Sequence, residues 1–140
     1  MEVADVRRKF RARIEEARRA SELRRGDLDR ASHEYDTFLH RVAVPAFRLV
    51  ASVLSAEGYP FKVFTPANGV RLASTTSRED YFEVELDTDS TPPQVIGRAN
   101  RARGGRVTTV ERPIRDGKGI GELTEEDVVE FVLAEFGAFV

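Results

Sequence analysis

At Gly58 the spacing of apolar residues changes from the three-and-four rhythm of helices to the every-second-residue alternation of strands. A chain with one such switch places its helices first and its sheet second, which points to the α+β class rather than to alternating βαβ units. Before the switch, Val3, Val6, Phe10, Ile14, Ala17 and Ser21 recur at helical spacing among Arg, Lys and Glu. They predict a long charged helix with a narrow apolar stripe. Asp5 with Lys9 and Glu15 with Arg19 lie four apart with the acid first, each pair adding about 0.3 kcal/mol. Gly26 is read as the end of this helix and Ser32 as the N-cap of the next. The competing reading is one continuous helix, since an interior glycine costs only about 1 kcal/mol.

The second expected helix, Ser32 to Glu57, is apolar nearly all round. Between Val42 and Ala56 its only charged side chain is Arg48. Phe38, Leu39, Val42, Phe47, Leu49, Val50, Val53 and Leu54 cannot all face one sheet, so cover is expected on at least two sides. Pro45 lacks an amide donor and clashes with the preceding turn, which predicts a kink or a break.

Past Gly58, Tyr59, Phe61 and Val63 alternate with Pro60, Lys62 and Phe64 up to the turn Pro66-Ala67-Asn68-Gly69. Val70 and Leu72 begin a second strand. Phe82, Val84 and Leu86 alternate with Tyr81, Glu83, Glu85 and Asp87 in a third, whose acidic side predicts a sheet solvated on one face. Strands near Gln94 to Arg98 and Arg106 to Arg112 follow. Thr124 and Asp127 suit the capping of a last helix carrying Val129, Val132, Leu133, Phe136 and Val140. The expected architecture is α+β, with two N-terminal helices, an antiparallel meander of four or five strands and a C-terminal helix on one sheet face. It is read as one domain over 1–140, divided into a helical region 1–57, a sheet 58–115 and a terminal helix 123–140.

For 140 residues with 41% hydrophobic and 33% charged side chains, one core can form without a staple. The chain has no cysteine, which excludes thiol nucleophiles and thiolate zinc sites. The N-terminal stretch lacks the apolar run of a secretory signal, and Val42–Ala56 is shorter than the roughly 20 residues of a membrane span. A cytoplasmic protein without a membrane partner is expected.

Charge is segregated. Residues 1–30 hold ten Lys/Arg and seven Asp/Glu, residues 93–118 seven and two, and residues 119–140 six acids and no base. Arg98, Arg101, Arg103, Arg106, Arg112, Arg115 and Lys118, spaced by glycines, are the residues to grip a phosphate backbone. The opposing reading is a salt ladder. A hairpin about Pro92-Pro93 puts Arg98 near Glu83 or Glu85, and such pairs are common across strands. The arginines of the first helix are interleaved with Asp5, Glu15, Glu16 and Glu22 and read as a solvated face. His33 and His40 share a helical face with Asp36, yet no third histidine completes a metal set, and Asp36 with His40 reads as a helical pair. Gly117-Lys118-Gly119-Ile120-Gly121 lacks the hydroxyl residue of a phosphate loop, and Asp87-Thr88-Asp89-Ser90 lacks the later ligands of a calcium loop. No catalytic constellation and no cofactor site is identified.

The function expected from these residues is non-enzymatic protein interaction or assembly, with self-association through Phe10, Ile14, Phe38, Val42, Phe47 and Val50. A homo-oligomer or a subunit of a larger complex fits it. The alternatives are nucleic-acid binding through residues 98–118 and a small-molecule pocket between sheet and helices lined by Phe61, Phe64, Phe82 and Phe136.

Overall fold

The two expected N-terminal helices are one rod. In the computed structural model, which describes residues 1–140, α1 (Val3–Phe38) runs through Gly26, and a π-helical turn, Leu39–Ala43, joins it to α2 (Val44–Ala56). Ser32 is therefore an interior helical residue and not a cap. The glycine's cost of about 1 kcal/mol is too small to stop a helix that also holds the good helix formers Leu23, Arg24, Arg25, Leu28 and Arg30 around it. Pro45 bends the hydrogen-bond pattern without breaking the rod. The amide of Val44 donates to the carbonyl of Leu39, five residues back, and this wider turn makes room where the proline ring would meet the preceding turn. Gly58, at φ +90°, ends the helix and lets the Tyr59 amide turn back to the Leu54 carbonyl at 2.8 Å.

Five antiparallel strands follow in chain order across the sheet: β1 (Phe61–Phe64), β2 (Gly69–Ser74), β3 (Tyr81–Asp87), β4 (Gln94–Arg103) and β5 (Arg106–Pro113). β4 is longer than its sequence pattern suggests, because Arg101 and Arg103 hide the alternation of its second half. Gly104 (φ 58°) and Gly105 (φ 79°) make the tight β4–β5 turn, a backbone shape that glycine adopts without steric cost. The register aligns Leu72, Phe82, Ala99 and Val110 in one cross-strand row and Arg71, Glu83, Arg98 and Glu111 in a row on the opposite face.

The helices cover the first of these faces. α2 packs on β1 and on α3 (Glu125–Phe136), while the end of α1 meets the 3₁₀ turn Ile120–Glu122. Phe38, Phe47 and Val50 join Val70, Leu72, Phe82, Val84, Val128 and Phe131 in one buried cluster. Gly97 lets α3 come this close. A Cβ there would lie 2.6 Å from Phe131 Cζ and 2.7 Å from Ile114 Cδ1. Thr124 and Asp127 form the reciprocal N-terminal cap of α3, and Lys118 Nζ donates to Asp127 Oδ2 at 2.8 Å. Burial pushes the Asp127 carboxyl up, but the bonds from Lys118 and Thr124 outweigh it and hold the pKa below its ordinary value.

The structure also corrects where particular side chains were expected to lie. Phe38, Phe47 and Val50 lie in the chain's own core rather than on an interface, because they belong to the helix face that closes the sheet. Phe64 stands on the opposite, open face and is exposed, one step out of phase with Phe61. Phe61, Phe82 and Phe136, which the alternative reading made the lining of a pocket, pack on one another, with ring centroids 6.2 Å (Phe61–Phe82) and 6.3 Å (Phe61–Phe136) apart.

Candidate interaction surface

Ala31 is the first buried residue of the chain, and everything before it projects beyond the sheet. Tyr35 marks the point of departure. Its hydroxyl donates to the Asn68 carbonyl at 2.8 Å, tying the helix to the β1–β2 turn, and burial together with the negative charges of Glu85 and Glu83 raises its pKa. From Val3 to Arg30 the rod is about 42 Å long at 1.5 Å per residue. No residue of that stretch is buried.

Two interleaved rows of seven-residue spacing run along one side of α1. Val3, Phe10, Ala17, Arg24, Ala31 and Phe38 form the first, and Arg7, Ile14, Ser21, Leu28, Tyr35 and Val42 the second. Together they make a three-four seam of the kind helices use to pair. Its last third, from Ala31, enters the core, with Ala31, Tyr35 and Phe38 buried and Val42 half-buried, whereas Phe10 is 65% and Ile14 48% exposed. One stripe of side chains thus serves the core at one end and has no cover at the other. Arg11, Arg18 and Arg25, also seven apart, flank the uncovered stretch. By composition these arginines belong to an undifferentiated charged face. Their seven-residue spacing is the signal that separates them from it.

The basic segment 98–118 has a different fate. Arg98 donates to Glu83 Oε1 at 2.9 Å, Glu85 Oε1 at 2.7 Å and Glu111 Oε2 at 3.0 Å. The hydrogen bond to Glu85 leads the causes that push its pKa further up, against the opposing effect of burial. Glu83, itself buried, also binds Arg71. Arg103 pairs with Asp80 at 2.8 Å, Arg112 with Glu135 at 3.3 Å and Lys118 with Asp127, while Arg101 donates to the Ala138 carbonyl. Only Arg106 and Arg115 of the seven have no such partner. The salt ladder forms because the acidic strand β3 lies directly beside β4. A phosphate backbone would have to compete with those carboxylates.

His40 Nδ1 lies 2.9 Å from the Asp36 carbonyl and 3.5 Å from Asp36 Oδ1, the helical pair that the spacing suggests, and both residues face solvent. One 18-residue window of the rod reaches a mean hydropathy of 1.3, enough by length and composition to cross a bilayer. Only the segment ending near Ala56 has so few charges; its Ala43, Val44, Phe47 and Val50 are core residues, whereas Leu49 and Val53 on the same helix are exposed.

No family model, no curated protein and no solved structure matches the chain.

Proposed function

We propose that this is a non-enzymatic interaction protein that assembles with a helical partner through residues 3–28 of α1. The observation that supports this reading is the continuity of the seam, since the rows that close the core from Ala31 onward persist uncovered toward the N-terminus. Isolated helices are marginal in water, so a rod of this length gains most of its stability when its apolar stripe is covered.

Charge bears on what covers it. In a parallel pair of two copies, Arg7 faces Arg7 and Arg24 faces Arg24 across the axis. In the antiparallel pair that sets Ile14 against Ala17, Arg7 faces Arg24. Like charges in a seam oppose pairing, and the Arg11, Arg18 and Arg25 row adds to the repulsion. An amphipathic helix with acidic flanks meets the same surface with opposite charge, and it is the preferred partner. The regular 3.6-residue helix drifts about 20° per heptad from a seven-residue repeat, so the two helices would wind around each other with a left-handed twist.

Light scattering after size-exclusion chromatography tests both versions. At tens of micromolar the chain alone is expected to run as a monomer. With a synthetic helix carrying leucine seams and glutamate flanks it is expected to form a one-to-one complex that Ile14→Asp abolishes and salt weakens. A dimer of the chain alone that Ile14→Asp dissolves would restore self-association. If neither complex forms, the assembly reading fails.

A further inference from the structure

Outside α1 the cations of this chain are either held by carboxylates or carbonyls or left alone, and six are left alone: Arg41, Arg48, Lys62, Arg78, Arg106 and Arg115. Two of the six, Lys62 and Arg78, line the same depression. It lies on the β1–β2 end of the sheet face that no helix covers, with a volume of about 750 Å³, within the span of small-molecule sites. Its shape follows from the register. Lys62, Ala73 and Tyr81 form one cross-strand row in which the middle side chain is a single methyl, so the row sags between two long neighbours. In the adjacent row stand Phe64 and Arg71.

The lining contains three cations and no carboxylate. Arg71 is fixed in place, since Glu83 holds its guanidinium and Tyr81 lies 3.9 Å beneath it. Lys62 and Arg78 are exposed and free to close on a ligand. Phe64, 51% exposed, contributes an aromatic ring to the lining. Thr65 adds a hydroxyl.

We infer that this groove binds a phosphate-bearing ligand with a planar ring, of mononucleotide size, the phosphate between Lys62 and Arg78 and the ring against Phe64. The groove is open rather than enclosed, so binding in the high micromolar range is expected, with the charge pairing supplying most of it. A free nucleotide and the end of a single strand present the same chemistry.

Amide chemical shifts of the full-length chain titrated with AMP test the inference, with adenosine, inorganic phosphate and an eight-nucleotide oligo(dA) as the other arms. AMP is expected to move the amides of residues 62–66 and 71–78, and to bind at least tenfold more tightly than adenosine or phosphate alone. Lys62→Ala with Arg78→Ala should weaken AMP at least tenfold, and Phe64→Ala should weaken AMP but leave phosphate unchanged. All three side chains are exposed, so the unperturbed remainder of the spectrum reports that the variants fold. Oligo(dA) binding at the same amides more than a hundredfold tighter than AMP assigns the site to a nucleic-acid strand. No shifts at millimolar AMP, or shifts that the double variant leaves intact, would overturn the inference. None of these outcomes involves α1, so they bear on the groove alone.

Discussion

The two ends of the same helix differ in a way that composition does not anticipate. From Ala31 to Val50 the rod carries Ala31, Tyr35, Phe38, Ala43, Val44, Ala46, Phe47 and Val50 into the core. From Val3 to Leu28 it repeats the seven-residue spacing of Ala31, Tyr35 and Phe38 toward the N-terminus, and there no residue is buried. The lesson is that a periodic apolar stripe reports what a helix can bury, and only the extent of the neighbouring elements decides how much of it is buried.

The sharpest way to break that comparison is to truncate one phenylalanine at each end. Phe47 is fully enclosed, so Phe47→Ala should lower unfolding free energy by about 3–5 kcal/mol. Phe10→Ala should change it by less than about 0.5 kcal/mol in the isolated chain, as surface substitutions do. Urea unfolding of both variants decides it. A large loss for Phe10→Ala in a monomer would mean that the outer stretch already has cover.

Arginines divide in the same way, with a smaller effect. Arg98 joins three carboxylates on the open sheet face and helps neutralise the buried Glu83. Arg98→Ala leaves Glu83 with Arg71 alone and should cost about 2–3 kcal/mol, below the full cost of an unpaired buried ion. Arg18→Ala, in the free rod, should leave unfolding unchanged while weakening an acidic partner helix. A stability loss for Arg18→Ala as large as that for Arg98→Ala would erase the distinction.

Asp127 gives the comparison a pH axis. Its folded pKa lies below the ordinary value of 3.8, so its contribution is complete above that value and is lost as pH falls through the folded pKa. Asp127→Asn removes the cap carboxylate and the Lys118 partner. It should cost about 1–2 kcal/mol at neutral pH and less in acid, where the wild-type group is itself protonated. Parallel pH–stability curves for the two proteins would contradict this. The Asp5–Arg8, Arg13–Glu16 and Asp27–Arg30 pairs at the free end of α1 are exposed, and such surface pairs contribute little to stability.

How much of this is legible in the residues follows from the range of each interaction. The period switch at Gly58, the β3 alternation, the turns and the Thr124 cap are local, and all are where the residues put them. Arg98 beside Glu83 is readable too, because a hairpin register is arithmetic once its turn is placed. What escapes is the identity of partners in space. Phe38, Phe47 and Val50 look like interface residues until the sheet is set against them. Phe64 is a case where the alternation already told the answer, since it falls on the Lys62 side of β1 and not on the Phe61 side. Pro45 predicts a kink or a break, and the distortion it causes is a π turn just before it, with the rod continuing into α2. The proposed interaction surface is half visible: Phe10 and Ile14 stand out at helical spacing, the Arg11, Arg18 and Arg25 row lies in the same helix but is masked by its charged neighbours, and Leu28 joins only once the helix runs through Gly26.

Gly26 offers the smallest effect and the finest probe of where core stability ends. Its position is open enough for a methyl, the nearest atom to an added Cβ being Arg30 Nη1 at 3.7 Å. Gly26→Ala should therefore strengthen the local helix by about 1 kcal/mol. If the outer stretch frays on its own, the gain belongs to that stretch alone. Amide exchange of residues 10–25 should then slow by about fivefold, while the urea midpoint of the core stays where it was. If instead the midpoint rises and exchange slows equally throughout the chain, rod and core melt as one unit, and cooperativity has crossed the point where Tyr35 holds the helix to the β1–β2 turn. The uncovered stripe would then be a rigid extension of the core, already ordered when a partner arrives, and association would not carry the cost of folding it.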